Sequence, residues 1–251
     1  MERVSLRRTG QFIFSFAMVA LGVETVVCAG DVTHALGPQS EVIPVIPWLP
    51  AIPWLAYLFG AILIFCGVGL LAIRTVRVAA LTLGSLWFLC TLVLDVPKYA
   101  ADAGSMALRT GVFEPLAIAS LAWLLAGRGA APNWLERGSR YLLAVSLIVF
   151  GVDHFLALAP IGSLIPAWIP WHVFWVAFFG AGFIAAAFGI ALDRLARPAA
   201  IGIGLMFAIW VITLHLPRVL GLYGIPGAPR DPDEWSSLLI AIALWGGSWA
   251  L

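Results

Sequence analysis

Seven ionisable side chains interrupt or border long apolar runs in this chain: Glu24, Asp95, Glu114, Asp153, His154, His215 and Glu234. Carboxylates and imidazoles in such places can relay protons, neutralise a cation or hold a polar ligand. An acidic group at mid-helix depth in a bilayer costs about 2.5–3.5 kcal/mol on insertion scales, so such groups face a bundle interior or a wet cavity and pair there. Two histidines and an aspartate near one end would suit a metal ion or a proton relay. Their spacing matches no zinc motif, so no metal is assigned. Asp153 and His154 are neighbours, about 100° apart on a helix, so at most one can line a shared cavity fully.

Two cations belong with this group. Lys98 follows Asp95, and Arg218 follows His215, each by one helical turn. Glu114 and Glu234 read as first-turn residues of the fourth and eighth helices, where a carboxylate meets the positive end of the helix dipole. Lys98–Glu114 and Arg218–Glu234 then read as matched staples across an outer loop. The candidate pocket is therefore Asp153, His154, His215, Arg218, Glu234, Glu24, Asp95, Lys98 and Glu114.

The elements that position these residues come from composition. The chain is 62% hydrophobic and 11% charged. Soluble domains average about 25% charged residues, too many for this chain to imitate. It reads as an all-α integral membrane protein with a lipid bilayer as its surroundings. A net charge of +1 and the absence of a basic run exclude nucleic acid. P-loop, nucleophile-elbow and dinucleotide motifs are missing. Cys28, Cys66 and Cys90 form no C-x-x-C pair, and the latter two sit in apolar runs as small core residues do.

Eight transmembrane helices are expected, at about 11–29, 53–73, 78–98, 111–127, 140–158, 172–192, 198–217 and 235–250. Most have the roughly 17–25 residues needed to cross the hydrocarbon. Arg3, Arg7 and Arg8 before the first run resemble a signal peptide. That run pairs with the internal segment 140–158, which argues for a retained helix.

The pairing is part of a longer repeat. Trp48-Leu-Pro50 recurs as Trp168-Ile-Pro170, and Phe59-Gly60-Ala61 as Phe179-Gly180-Ala181. Asp95-Val-Pro97-Lys98 falls on His215-Leu-Pro217-Arg218, and Glu114 on Glu234, all without a gap. Gly22-Val23-Glu24-Thr25 matches Gly151-Val152-Asp153-His154 in a register nine residues further on. Residues 1–128 and 129–251 are thus two four-helix repeats. Four spans per copy make them parallel, about an axis along the membrane normal. Gly60, Gly67, Gly69, Gly180, Gly182 and Gly189 are the small residues that let helices approach closely in lipid.

Arg3, Arg7, Arg8, Arg74, Arg77, Arg128, Arg137, Arg140, Arg194 and Arg197 fall on one side. Lys98, Arg109, Arg218 and Arg230 fall on the other. The positive-inside rule places both termini in the cytoplasm of an inner (plasma) membrane protein. The candidate pocket then opens outward, beside an interface belt of Trp48, Trp54, Trp168, Trp171 and Trp175. The copies differ at that end: Thr25 and Asp95 stand in the first where His154 and His215 stand in the second.

Each half resembles the DoxX-like family of small four-helix membrane proteins, and the second half resembles it more closely. The residues that carry this are Gly151-Val-Asp-His154-Phe155, Ile165-Pro-Ala-Trp168-Ile-Pro170, Phe174-Trp175, Gly180, Leu214-His215-Leu-Pro217-Arg218 and Glu234-Trp235. The resemblance implies a redox-linked, quinone-associated membrane subunit that works with an oxidoreductase partner protein. It names no cofactor. The buried ionisable groups and parallel repeats also suit a carrier or binding protein for a small solute or lipid, and a structural membrane partner without chemistry is the third reading.

Overall fold

A computed structural model describes residues 2–28, 53–127, 133–192, 195–224 and 227–251. Trp48, Arg128 and Arg194 lie outside the described residues. Eight long helices account for most of the fold: α1 Glu2–Cys28, α2 Pro53–Gly69, α3 Val76–Ala101, α4 Met106–Ala126, α5 Asn133–Leu156, α6 His172–Ala191, α7 Ala196–Val219 and α8 Pro232–Ala250. No strand occurs among the described residues. Six of these helices contain a stretch long and apolar enough to cross a membrane: α1, α3, α4, α5, α6 and α7. The apolar part of α2, Trp54–Gly69, is shorter.

The helices form a ring in chain order. Each packs on the next, α8 closes onto α1, and α4 touches α8 across the middle. Every contact of this ring among α1–α4 has a counterpart among α5–α8. Close approach explains the tightest pairs. A Cβ on Gly22 would meet the Gly60 carbonyl at 2.6 Å, and one on Gly151 would meet the Gly180 carbonyl at 2.7 Å. Only glycine lets α1 lie on α2, and α5 on α6, at that distance. The core they enclose includes Phe14, Met18, Leu63, Leu83, Ile118, Leu121, Leu147 and Phe183.

Helix starts follow their capping chemistry. Ser105 accepts the Leu108 amide at 3.3 Å and starts α4. Asp231 accepts the Asp233 amide at 3.0 Å, and Pro232 follows it to open α8. The two caps correct one expectation. In α8, Glu234 lies in the first turn after Asp231, as the sequence suggested. In α4, Glu114 is the ninth residue, because the helix begins at Met106 and not near 111. The ungapped comparison of the two halves fails here: the turn before α8 is longer than the one before α4, so the caps Ser105 and Asp231 take matching places at their helix starts. Glu114 and Glu234 do not.

The third and seventh helices share a second irregularity. Each contains one π turn, Thr91–Asp95 and Val211–His215, with the Val96 amide bonded to Thr91 and the Leu216 amide to Val211. Pro97 and Pro217 explain it. A helical proline lacks an N–H and crowds the carbonyl four residues earlier, and the backbone widens to accommodate it. The prolines thus do not stop these helices, which run on to Ala101 and Val219.

Candidate functional site

The C-terminal ends of α1, α3, α5 and α7 meet the N-terminal ends of α2, α4, α6 and α8, so the candidate residues do gather at one end. They form separate small groups, not a single cluster.

Asp153 sits on α5, only 4% exposed. Arg109 of α4 grips it, with Nε 2.8 Å from Oδ1 and Nη2 on the same oxygen. The Thr110 hydroxyl approaches Oδ2 at 3.5 Å. A buried carboxylate needs such compensation. Arg109 appeared in the sequence only as an outer-side cation. Its distance of 44 residues from Asp153 concealed the pairing, and no local spacing reveals it.

His154, 8% exposed, points away from Asp153 towards α6 and α7. Its ring stacks on Trp210, with centroids 5.4 Å apart and planes 9° apart, and meets the edge of Phe183 at 5.3 Å. Gly180 makes room for it: a Cβ there would lie 2.9 Å from the His154 Cβ. His154 Nδ1 is 2.7 Å from the Phe150 carbonyl. A carbonyl only accepts, so Nδ1 carries a hydrogen, and in the neutral ring Nε2 is left as the acceptor. That Nε2 is buried and has no partner among the described residues. Trp210, Phe183 and Phe179 read in sequence as ordinary apolar residues of their helices. In the structure Trp210 and Phe183 pack on this imidazole, and Phe179 packs on Trp210.

Arg218 and Glu234 form the expected staple between α7 and α8, with Nε 2.7 Å from Oε2 and a second contact from Nη2 to Oε1. His215 ends the π turn one helical turn before Arg218, half-buried. Gly221, at φ +70°, ends α7 and reverses the chain. Tyr223 thereby returns to donate its hydroxyl to the Thr213 carbonyl. That carbonyl lies four residues before Pro217, so the tyrosine satisfies the group the proline leaves over.

The first half builds less. Glu24, half-buried on α1, accepts from the Ser236 hydroxyl at 2.9 Å. Thr25 donates to Leu21 at 2.7 Å, repeating with a hydroxyl the backbone contact that His154 makes with its ring. Asp95 and Lys98 occupy the π turn and the turn after it, both half-buried. Glu114 is not at the start of α4, where the Lys98 staple was expected, but well inside the helix, and Arg109 of that helix pairs with Asp153. Cys28, Cys66 and Cys90 form no disulfide among the described residues. No group of three histidine, cysteine or acidic side chains is placed to hold a metal among the described residues.

Chemically, the second half offers a hydrogen-bond acceptor on a ring held flat against indole, next to a neutralised ion pair. The first half offers a carboxylate on a hydroxyl. No family model matches the chain, and no curated protein or solved structure matches it either.

Proposed function

We propose that the chain is an eight-span inner (plasma) membrane protein of two parallel, DoxX-like four-helix repeats, with both termini cytoplasmic. Its second half binds the ring of a quinol-type molecule for a partner oxidoreductase. The matching order of helix contacts in the two halves supports the repeat. The arginine distribution supports the orientation, which turns the Asp153 end outward.

The observation that carries the ligand is His154. Its Nδ1 is committed to Phe150, its face to Trp210, and its Nε2 remains a buried acceptor without a donor. A buried polar atom left unpaired in a native fold calls for an occupant. A phenolic hydroxyl supplies the missing donor, and the surrounding aromatic rings suit a flat apolar body. The Arg109–Asp153 pair holds the α4–α5 seam beside it. Electron transfer belongs to the partner.

Anaerobic titration with a short-tail benzoquinol, followed by tryptophan fluorescence, tests this reading. Saturable quenching is expected, weaker for the oxidised quinone, which has no hydrogen to donate. His154→Leu should remove the saturable phase. Quenching that rises linearly, or that survives His154→Leu, would leave the site without this ligand.

A structural partner without chemistry is the second reading. It is favoured by one feature: two arginines of this end, Arg109 and Arg218, are already closed on carboxylates. On that reading, substitutions at His154 change stability and bind nothing differently. A small-solute or lipid carrier predicts instead that transport across proteoliposomes depends on Asp95 and His215.

A further inference from the structure

At the opposite end of the bundle, a cavity of about 580 Å³ opens between α3, α4 and α5. Its volume lies in the range of ligand sites, about 300–1,000 Å³. Leu81, Phe88 and Leu89 of α3 form one wall, and Leu135 and Gly138 of α5 the other. Trp123 of α4 forms the back. Its ring is seated against Gly84, where a Cβ would meet Cγ at 2.9 Å.

The walls offer little to a polar ligand. Ser139 already gives its hydroxyl to the Leu135 carbonyl at 2.7 Å, which leaves Ser85 as the other hydroxyl of the lining. The rim differs in kind. Arg77 borders the cavity at the start of α3, and Trp134, 71% exposed, borders it at the start of α5. Arg74, in the turn before α3, and Arg137, in the first turns of α5, are exposed close by in sequence. A groove that is apolar along its length and cationic at one end complements one amphiphile: hydrocarbon inside, anion at the rim. Basic pockets between membrane helices hold anionic headgroups in this way, and tryptophan settles at the same depth.

We infer that this groove is a binding site for one anionic phospholipid, with an acyl chain along Trp123 and Gly138 and the headgroup phosphate at Arg77. The inference uses none of the residues of the Asp153 end.

Gly138 makes the test clean. No atom lies within 4 Å of a Cβ built there, so a larger side chain enters the groove without displacing a neighbour. The purified chain is equilibrated in mild detergent with equal amounts of phosphatidylglycerol and phosphatidylcholine carrying identical acyl chains, and native mass spectrometry reads the adducts. The wild type should retain one lipid, mainly phosphatidylglycerol. Gly138→Leu should lose it. Arg77→Gln should keep a lipid but lose about fivefold of its preference for the anionic one, as expected from about 1 kcal/mol per arginine near a headgroup. Gly202→Leu, on α7 and equally free of neighbours within 4 Å, is the control and should match the wild type. The inference is overturned by a wild type without a retained lipid, or by Gly138→Leu retaining as much as the wild type. It is overturned equally by equal losses in Gly138→Leu and Gly202→Leu, or by an anionic preference that Arg77→Gln leaves intact.

Discussion

Asp153 and Glu24 occupy the same place in the two halves and are treated differently. Each follows a Gly-Val pair, each lies near the end of the first helix of its half, and each faces the last helix of the other half. Thr110 reaches Asp153, and Ser236 reaches Glu24. Those two hydroxyls stand at the same distance from their helix caps, Ser105 and Asp231. One position earlier, α4 carries Arg109 and α8 carries Trp235. Arg109 closes the first seam with charge, whereas Trp235 turns its indole N–H to the Pro229 carbonyl at 3.1 Å and leaves Glu24 to a serine. The order of helix contacts is therefore alike in the two halves, and the electrostatics built on it are not. Helix packing requires only small residues at fixed points, so the remaining side chains are free to diverge.

That contrast can be broken first where the halves should agree. Gly22→Leu and Gly151→Leu both push a side chain into a facing backbone carbonyl. Each should cost about 4 kcal/mol or prevent folding, to a similar degree. Thermal unfolding in detergent measures this, and a large effect in only one half would mean that the two glycine contacts are not equivalent.

The next substitutions should separate the halves. Asp153→Ala takes from Arg109, whose side chain is 21% exposed, its carboxylate and leaves it Tyr99, and should cost about 3 kcal/mol. Glu24→Ala removes a single hydrogen bond to Ser236 and should cost about 1 kcal/mol. Equal losses would show that Arg109 adds nothing to its seam. Tyr223→Phe should cost about 1 kcal/mol through the Thr213 carbonyl it leaves bare. Tyr99, after the first π turn, instead bonds the Arg109 side chain, so Tyr99→Phe should weaken the Arg109–Asp153 seam by up to about 1 kcal/mol.

The smallest effect sharpens the comparison. Trp235→Arg puts a cation where Arg109 stands in the other half. A double-mutant cycle with Glu24→Gln should yield a favourable coupling below about 1 kcal/mol. Zero coupling would show that the two seams differ in backbone as well as in side chains.

Much of the helical plan could be read from the sequence. The apolar runs marked eight segments, and the structure has a helix at each of them, six with the length and apolarity of a span. The Arg218–Glu234 staple was legible because both partners flank a single connection, that between α7 and α8. Arg109–Asp153 was not, since a pair separated by a whole helix and turn leaves no local pattern. The misplaced Glu114 has a definite cause. An ungapped comparison ignores the longer turn before α8, and the caps Ser105 and Asp231 set the helix starts instead. Pro97 and Pro217 stand at or near the ends of the segments expected at 78–98 and 198–217, yet a π turn absorbs each proline and the helix continues. His154 was legible as a candidate, but not its surroundings: Trp210 and Phe183 are apolar residues in apolar helices, and only folding brings them round the ring.

The central proposal is that, at the Asp153 end, the second half and not the first has become a ligand site, through His154. The most direct test exchanges the counterpart residues, His154→Thr in one variant and Thr25→His in another, and repeats the anaerobic benzoquinol titration on both. Saturable binding should vanish in His154→Thr and stay at the wild-type level in Thr25→His. Binding retained in His154→Thr would contradict the claim and return the buried imidazole to a purely structural role.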